Sequence, residues 1–342
     1  MGILKLSLII ILSPVIFSCA KLQYVIEQGQ GQLAIFYDAK SNQELLADGK
    51  IASKYKDKIK YIEELRKYFY QYFNEKSSDI YTKTTLLERD AVSYLVIASL
   101  FDKIEAKEAC FWFVGCFPYL GFFSKDRALD YAKELAEQNY VTWVRPVYAY
   151  SSLGYFDDPI LSSFFAYDDF DLTEMIFHEL FHSIFFIKDE VELNENLANF
   201  FGRELALAYF KFDSAASRAG KLAELAAEDR LKEEILAYAQ RLIKLYQVQR
   251  PSKQEESEAI LKEFLIGDFY PQVKKICTEF AVSETACFPL RGEWNNARFA
   301  AFLTYEKEQN RIYDLYKKSN KSLIEFYKEL KQKKERGENL FL

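Results

Sequence analysis

The chain has two histidines in 342 residues, and they stand four apart, in the run Ile176-Phe177-His178-Glu179-Leu180-Phe181-His182. Residues four apart on an α-helix project from one face. The surrounding apolar residues, Ile176, Phe177, Leu180, Phe181, Ile184 and Phe185, call for a buried helix. Asp171 and Glu174 have the spacing of a capping box with Asp as the cap, so the helix is predicted over 172–187. Two imidazoles and a carboxylate in an apolar helix are costly to bury unless a metal or polar partners satisfy them.

The arrangement suits one zinc ion, bound through two ring nitrogens at about 2.0–2.1 Å. Glu179 is turned away from the line of the histidines. It is placed to take a proton from water that the metal has made more acidic. This is the chemistry of the H-E-x-x-H pattern. A catalytic zinc takes three protein ligands and keeps an open fourth position. With no further histidine, the third ligand must be a carboxylate or a cysteine. Asp189, Glu190 and Glu192 lie in a predicted connection. Glu195 opens a second helix, 192–210, which Leu197, Ala198, Phe200 and Phe201 mark as buried, so Glu195 is the preferred third ligand. One Zn2+ per chain follows, held by His178, His182 and Glu195, with Glu179 as general base.

Elsewhere, Ile59, Ile62, Leu65, Phe69, Tyr72 and Phe73 recur at helical spacing, predicting a helix over 55–75. Ala91 to Leu100 and Val141 to Val147 read as strands. Between them, Phe111 to Phe123 reads as strand-like with a turn, and Ser124 caps a helix over 125–138. Tyr148 to Pro159 has the Gly, Asp and Pro of a loop or an irregular edge strand. Further helices are predicted over 214–248, stopped by Pro251, then 254–265, 294–309 and, in a Lys/Glu-rich tail, 311–335. Residues 20–50 read as irregular.

Half the residues are hydrophobic, so a large core can be buried, and the net charge is −6. With no basic stretch interleaved with aromatics, nucleic acid is not the expected partner. Lys5 and the apolar run Leu6 to Phe17 have the form of a secretory signal, too short for a comfortable membrane span. Ile16-Phe17-Ser18-Cys19 resembles a lipobox, which predicts a lipid anchor at Cys19 in the bacterial envelope, periplasmic or on the outer surface. A plain signal peptide or an uncleaved anchor is the alternative. Of the remaining cysteines, Cys110, Cys116, Cys277 and Cys287, an even number in an exported chain suggests disulfides. Local pairing, 110 with 116 and 277 with 287, is simplest, and two other connectivities remain open.

The segments CFWFVGCFPYLGFF (110–123), YSSLGYFDDP (150–159), IFHELFH (176–182), Lys188-Asp189, NENLA (194–198) and WNNARFA (294–300) together resemble the predicted zinc-dependent aminopeptidases of bacterial envelopes, which are often lipoproteins. The resemblance covers most of residues 25–310. It implies His178, His182 and Glu195 as metal ligands, as in gluzincin-type peptidases, with Glu179 as base and a peptide substrate. One turn after the third ligand, where such enzymes often carry an Asp that orients a histidine, this chain has Asn199. Its amide oxygen is expected to accept the imidazole proton. Tyr150, Gly154 and Tyr155 are candidates for an edge that pairs with an extended substrate. Asn295, Asn296, Arg298 and Tyr305 offer donors for an oxyanion or substrate carboxylate, against helix capping and surface pairing as the alternative.

The expected fold is α+β: a predominantly helical, zincin-like metallopeptidase domain with a small sheet in its N-terminal half. The expected organisation is a signal peptide (1–18), a tether and entry segment (19–50), one catalytic domain (51–310) and a charged C-terminal helix (311–342). The expected activity is hydrolysis of peptide bonds, with a cell-wall amidase or a non-catalytic metal-binding lipoprotein as rivals.

Overall fold

A computed structural model describes residues 24–111, 115–149, 157–188, 190–211, 215–283, 286–305 and 309–340. The expectations for the signal segment, Cys19, Tyr150, Gly154, Tyr155 and Asp189, and for the side chains of Glu192 and Tyr305, lie outside what is described. The order of elements begins with helix α1 (24–37), β1 (Lys40–Ser41), α2 (Asn42–Ala47), α3 (Ser53–Phe73), β2 (Lys83–Thr85) and β3 (Ser93–Leu100). It continues with β4 (Ala109–Phe111), β5 (Gly115–Phe117), β6 (Leu120–Phe122), α4 (Lys125–Ala136), β7 (Tyr140–Val147) and β8 (Ile160–Leu161). A 3-10 turn, Ser162–Ala166, precedes α5 (Asp169–Ile184), α6 (Val191–Phe210), α7 (Ala215–Gln249), α8 (Gln254–Phe264), α9 (Tyr270–Glu279), α10 (Asn296–Tyr305), α11 (Gln309–Ser319) and α12 (Leu323–Glu335). The fold is α+β and mostly helical, with its small sheets before residue 162. Among the described residues no helix is long and apolar enough to cross a membrane.

Contacts divide the chain into two compact units. The first takes the residues up to Val92 together with Tyr148–Asp168. Its sheet has the order β1-β2-β8. Asn42 locks one side of it, donating to the Tyr81 carbonyl and accepting from the Thr84 hydroxyl. The helix α3 buries Ile59, Ile62, Leu65, Phe69 and Phe73 at the expected spacing and ends at Asn74 in the left-handed conformation.

The second unit comprises Ser93–Val147 and Asp169–Leu342. Its main sheet is antiparallel in the order β6-β3-β7. The helix α4, capped by the Ser124 hydroxyl on the Arg127 amide, packs against β3 and β7, and α10 also packs on this sheet. There Ala297 and Ala301 meet Ile97, with Leu95 and Trp143 alongside. Buried residues of α7, α9 and α10, among them Leu242, Ile276 and Phe299, form a larger core. The disulfides are the local ones, Cys110–Cys116 and Cys277–Cys287. The first joins β4 to β5 at a directly paired register position.

Several boundaries differ from expectation for identifiable reasons. Residues 24–37 are helical although Gly29 and Gly31 lower their propensity; Ile35 is buried and anchors the segment. The site helix starts at Asp169 rather than 172, so Asp169 and Asp171 are acidic residues of its first turn, where the helix dipole favours them, and Asp171 is not the cap. Glu174 instead pairs with Arg203. The tail is two helices broken at Asn320, which has a φ of 50°. Its second helix buries Leu323, Phe326, Tyr327 and Leu330, so only one face of the charged segment is solvated.

Candidate metal centre

The site is built from α5 and α6, packed along their length. The ring of Phe181 stacks on Phe201, with centroids 4.4 Å apart and planes inclined by 11°. Tyr327 meets the edges of both rings, and Phe326 stacks on Phe201. Such pairs add about 0.5–1.5 kcal/mol each beyond area burial. They fix which faces of the two helices oppose one another.

On that shared face the histidines point together. The Nε2 atoms of His178 and His182 are 3.3 Å apart. The carboxylate of Glu195 reaches across from α6, with Oε2 3.3 Å from His178 Nε2 and Oε1 3.4 Å from His182 Nε2. Donors each about 2.0–2.1 Å from one tetrahedral centre stand roughly 3.3–3.4 Å from one another. Two imidazole nitrogens and a carboxylate at this spacing are a donor set suited to zinc. Glu179 offers a further oxygen, within 4.8 Å of a nitrogen of each histidine. Glu195, which bridges both rings, fits the third-ligand position better than Glu179 does. Glu190, the described rival, accepts the Asn194 amide at its carbonyl as α6 begins. A second group of metal-ligand types, Glu108 with Cys110 and Cys116, is exposed, and its two sulfurs are joined in a disulfide.

The electrostatics follow from this crowding. Burial works against charge on His178, but the hydrogen bond to Glu195, the charges of Glu179 and Glu195 and a hydrogen bond with Asn199 raise its pKa. Burial, and then the neighbouring His178, lower His182 to about 4 despite Glu195. His182 is therefore neutral at pH 7, the form that offers a lone pair to a metal. Burial pushes the Glu195 pKa up, but the His178 hydrogen bond and both histidines outweigh it and lower it, which keeps the carboxylate ionised.

Three neighbours of the site escaped the sequence reading. Asn194, 2 % exposed, clasps the connection between the helices: it accepts from the Ile187 amide at 2.8 Å and donates to the Ile187 carbonyl at 2.7 Å. Gly202 lies against the turn that carries His178. An isolated glycine inside a helical pattern was the signal available for it. Arg203 binds Glu174 on α5 and Asp229 on α7. Burial opposes its charge, but these two carboxylates raise its pKa.

The other candidates have different partners. Asn295 caps α10 by accepting the Arg298 amide and donates to the Thr142 carbonyl of β7. Arg298 donates to the carbonyls of Arg291 and Glu293 and lies over the Trp294 ring. Burial lowers its pKa to about 10. Apart from the cap, these hydrogen bonds run to β7 and to the 291–293 segment, not to α5 or α6.

Helix α5, with its His-Glu-x-x-His group, and the carboxylate of α6 form a candidate metal site. The profile of the family described as "Putative aminopeptidase" matches residues 23–339, and the chain belongs to that family. No curated protein and no solved structure matches it.

Proposed function

We propose that this protein is a zinc-dependent peptidase of zincin-like construction, held in the bacterial envelope by a lipid at Cys19. The observation that carries the reading is the triangle of His178, His182 and Glu195, whose donors stand 3.3–3.4 Å apart. These three residues would hold the ion, and the neutral state of His182 suits that role. A zinc ion supplies Lewis acidity, which polarises a scissile carbonyl and eases proton loss from water. Glu179 adjoins the ligands without bridging them. Its carboxylate takes the proton of the attacking water and returns it to the leaving amine. Asn199 holds His178 in orientation through its hydrogen bond.

Family membership favours removal of N-terminal residues from peptides. A peptide-library digest, run with and without chelator and with zinc restored, tests the whole reading. Cleavage that chelator abolishes and zinc restores is expected, and cleavage indifferent to chelator would overturn it. Paired substrates with free and acetylated N-termini separate the modes: an aminopeptidase cuts only the free form. Incorporation of labelled fatty acid into the wild type, absent in Cys19→Ser, tests the anchor.

A further inference from the structure

The position of Glu195 opposite the histidines needs two things that its own chemistry does not supply. The helices must approach closely enough, and α6 must be fixed along and about its axis. The described structure answers each with one residue outside the ligand set.

Close approach falls to Gly202. Glu195, Asn199 and Gly202 follow the four- and three-residue steps that keep residues on one helix face. A Cβ at 202 would lie 2.9 Å from the Glu174 carbonyl oxygen, 3.0 Å from the His178 amide nitrogen and 3.2 Å from the His178 Cα. All three atoms are backbone, so no side chain can swing aside, and any larger residue would push α6 off the turn that presents His178. A mid-helix glycine costs about 0.5–1 kcal/mol relative to alanine, and the only gain visible at this position is proximity. Gly220 on α7 gives the contrast, since a Cβ there meets nothing within 4 Å.

Register falls to Asn194, which precedes Glu195. Its amide closes both hydrogen bonds with the backbone of Ile187. This ties the start of α6 to the chain five residues past His182 and sets where Glu195 emerges.

The geometry points to Gly202 and Asn194 as positioning residues of the metal centre, acting through Glu195 and His178 without touching the ion. The inference rests on the peptidase reading, and its test separates the two. Zinc affinity is measured by competition with a chelating dye, and the visible spectrum of the cobalt(II) form is recorded. Wild type, Gly202→Ala, Asn194→Ala and Gly220→Ala are compared, each with the melting curve of its metal-free form. Gly202→Ala is expected to remain folded, bind zinc roughly tenfold or more weakly, as orienting partners of a metal site do, and alter the cobalt spectrum. Asn194→Ala should weaken binding several-fold, and Gly220→Ala should match the wild type. Folded Gly202→Ala with wild-type affinity and spectrum overturns the inference while leaving the metal centre intact. Equal weakening in Gly220→Ala also overturns it. If Gly202→Ala does not fold, Asn194→Ala decides by the same two readings. A wild type that takes up neither metal overturns the peptidase reading, and the inference falls with it.

Discussion

Two parts of the second unit bury polar side chains among aromatic rings, and they use them in opposite ways. At the start of α10, Asn296 donates to the carbonyls of Leu100 and Phe101 and accepts from the Tyr246 hydroxyl. Ser257 extends the network to Tyr246 and Phe101. The network closes on the carbonyls of Leu100 and Phe101, with the Tyr246 hydroxyl linking the two side chains that reach them. Between α5 and α6, the two imidazoles and Glu195 converge on one another instead, their ring nitrogens and carboxylate oxygens facing a common centre. Buried polar atoms that point at backbone stabilise a fold, whereas partly buried donors that point at a common centre ask for a ligand.

The contrast can be broken most sharply at Glu179. Glu179→Gln should reduce peptide hydrolysis by about 10²–10⁴-fold, the usual contribution of a general base, with zinc content by elemental analysis unchanged. An unaltered rate would remove Glu179 from the chemistry. Glu195→Ala should leave zinc well below one per chain after dialysis, and full occupancy would mean another third ligand. Phe201→Ala, which removes the ring stacked on Phe181, should cost about 3–5 kcal/mol of stability in denaturant unfolding. A cost below about 1 kcal/mol would show that the stack does not hold the site helices together.

The smallest effects sharpen the comparison by pairing asparagines. Asn296→Ala should destabilise by about 1–3 kcal/mol, because it leaves buried carbonyls and the Tyr246 hydroxyl short of partners. Its zinc affinity per folded molecule should not change. Asn199→Ala should do the reverse, weakening zinc by roughly 10-fold or more with little change in melting. If both variants moved both readings, the division between fold-closing and ligand-seeking polar groups would fail.

Where structure depends on near neighbours, the sequence was a good guide. The helix with both histidines, the strands β3 and β7, the Ser124 cap of α4 and the amphipathic α3 all follow from spacing and capping chemistry. The reading was weaker where distant residues set the outcome. Helix α5 starts at Asp169, ahead of the expected cap, and Glu174, expected in the capping box, pairs with Arg203, twenty-nine positions away. The tail gained a buried face because Phe326 and Tyr327 pack on rings of α5 and α6. Asn295 and Arg298, read as possible substrate donors, bind β7 and the 291–293 segment, which no local pattern shows.

By itself, then, the sequence determined that two imidazoles share one face of one helix, because helical geometry repeats every 3.6 residues whatever lies beyond. The sequence marked Glu195 as the preferred third ligand among its acidic neighbours, and the tertiary structure decided that it closes the triangle. That depends on a second helix arriving at a set distance and rotation, through a stack of aromatic rings, a clasped connection and a glycine lying on bare backbone. The ring stack and the glycine contact join residues twenty or more positions apart, and even the clasp, seven positions long, becomes visible only when the two helices meet.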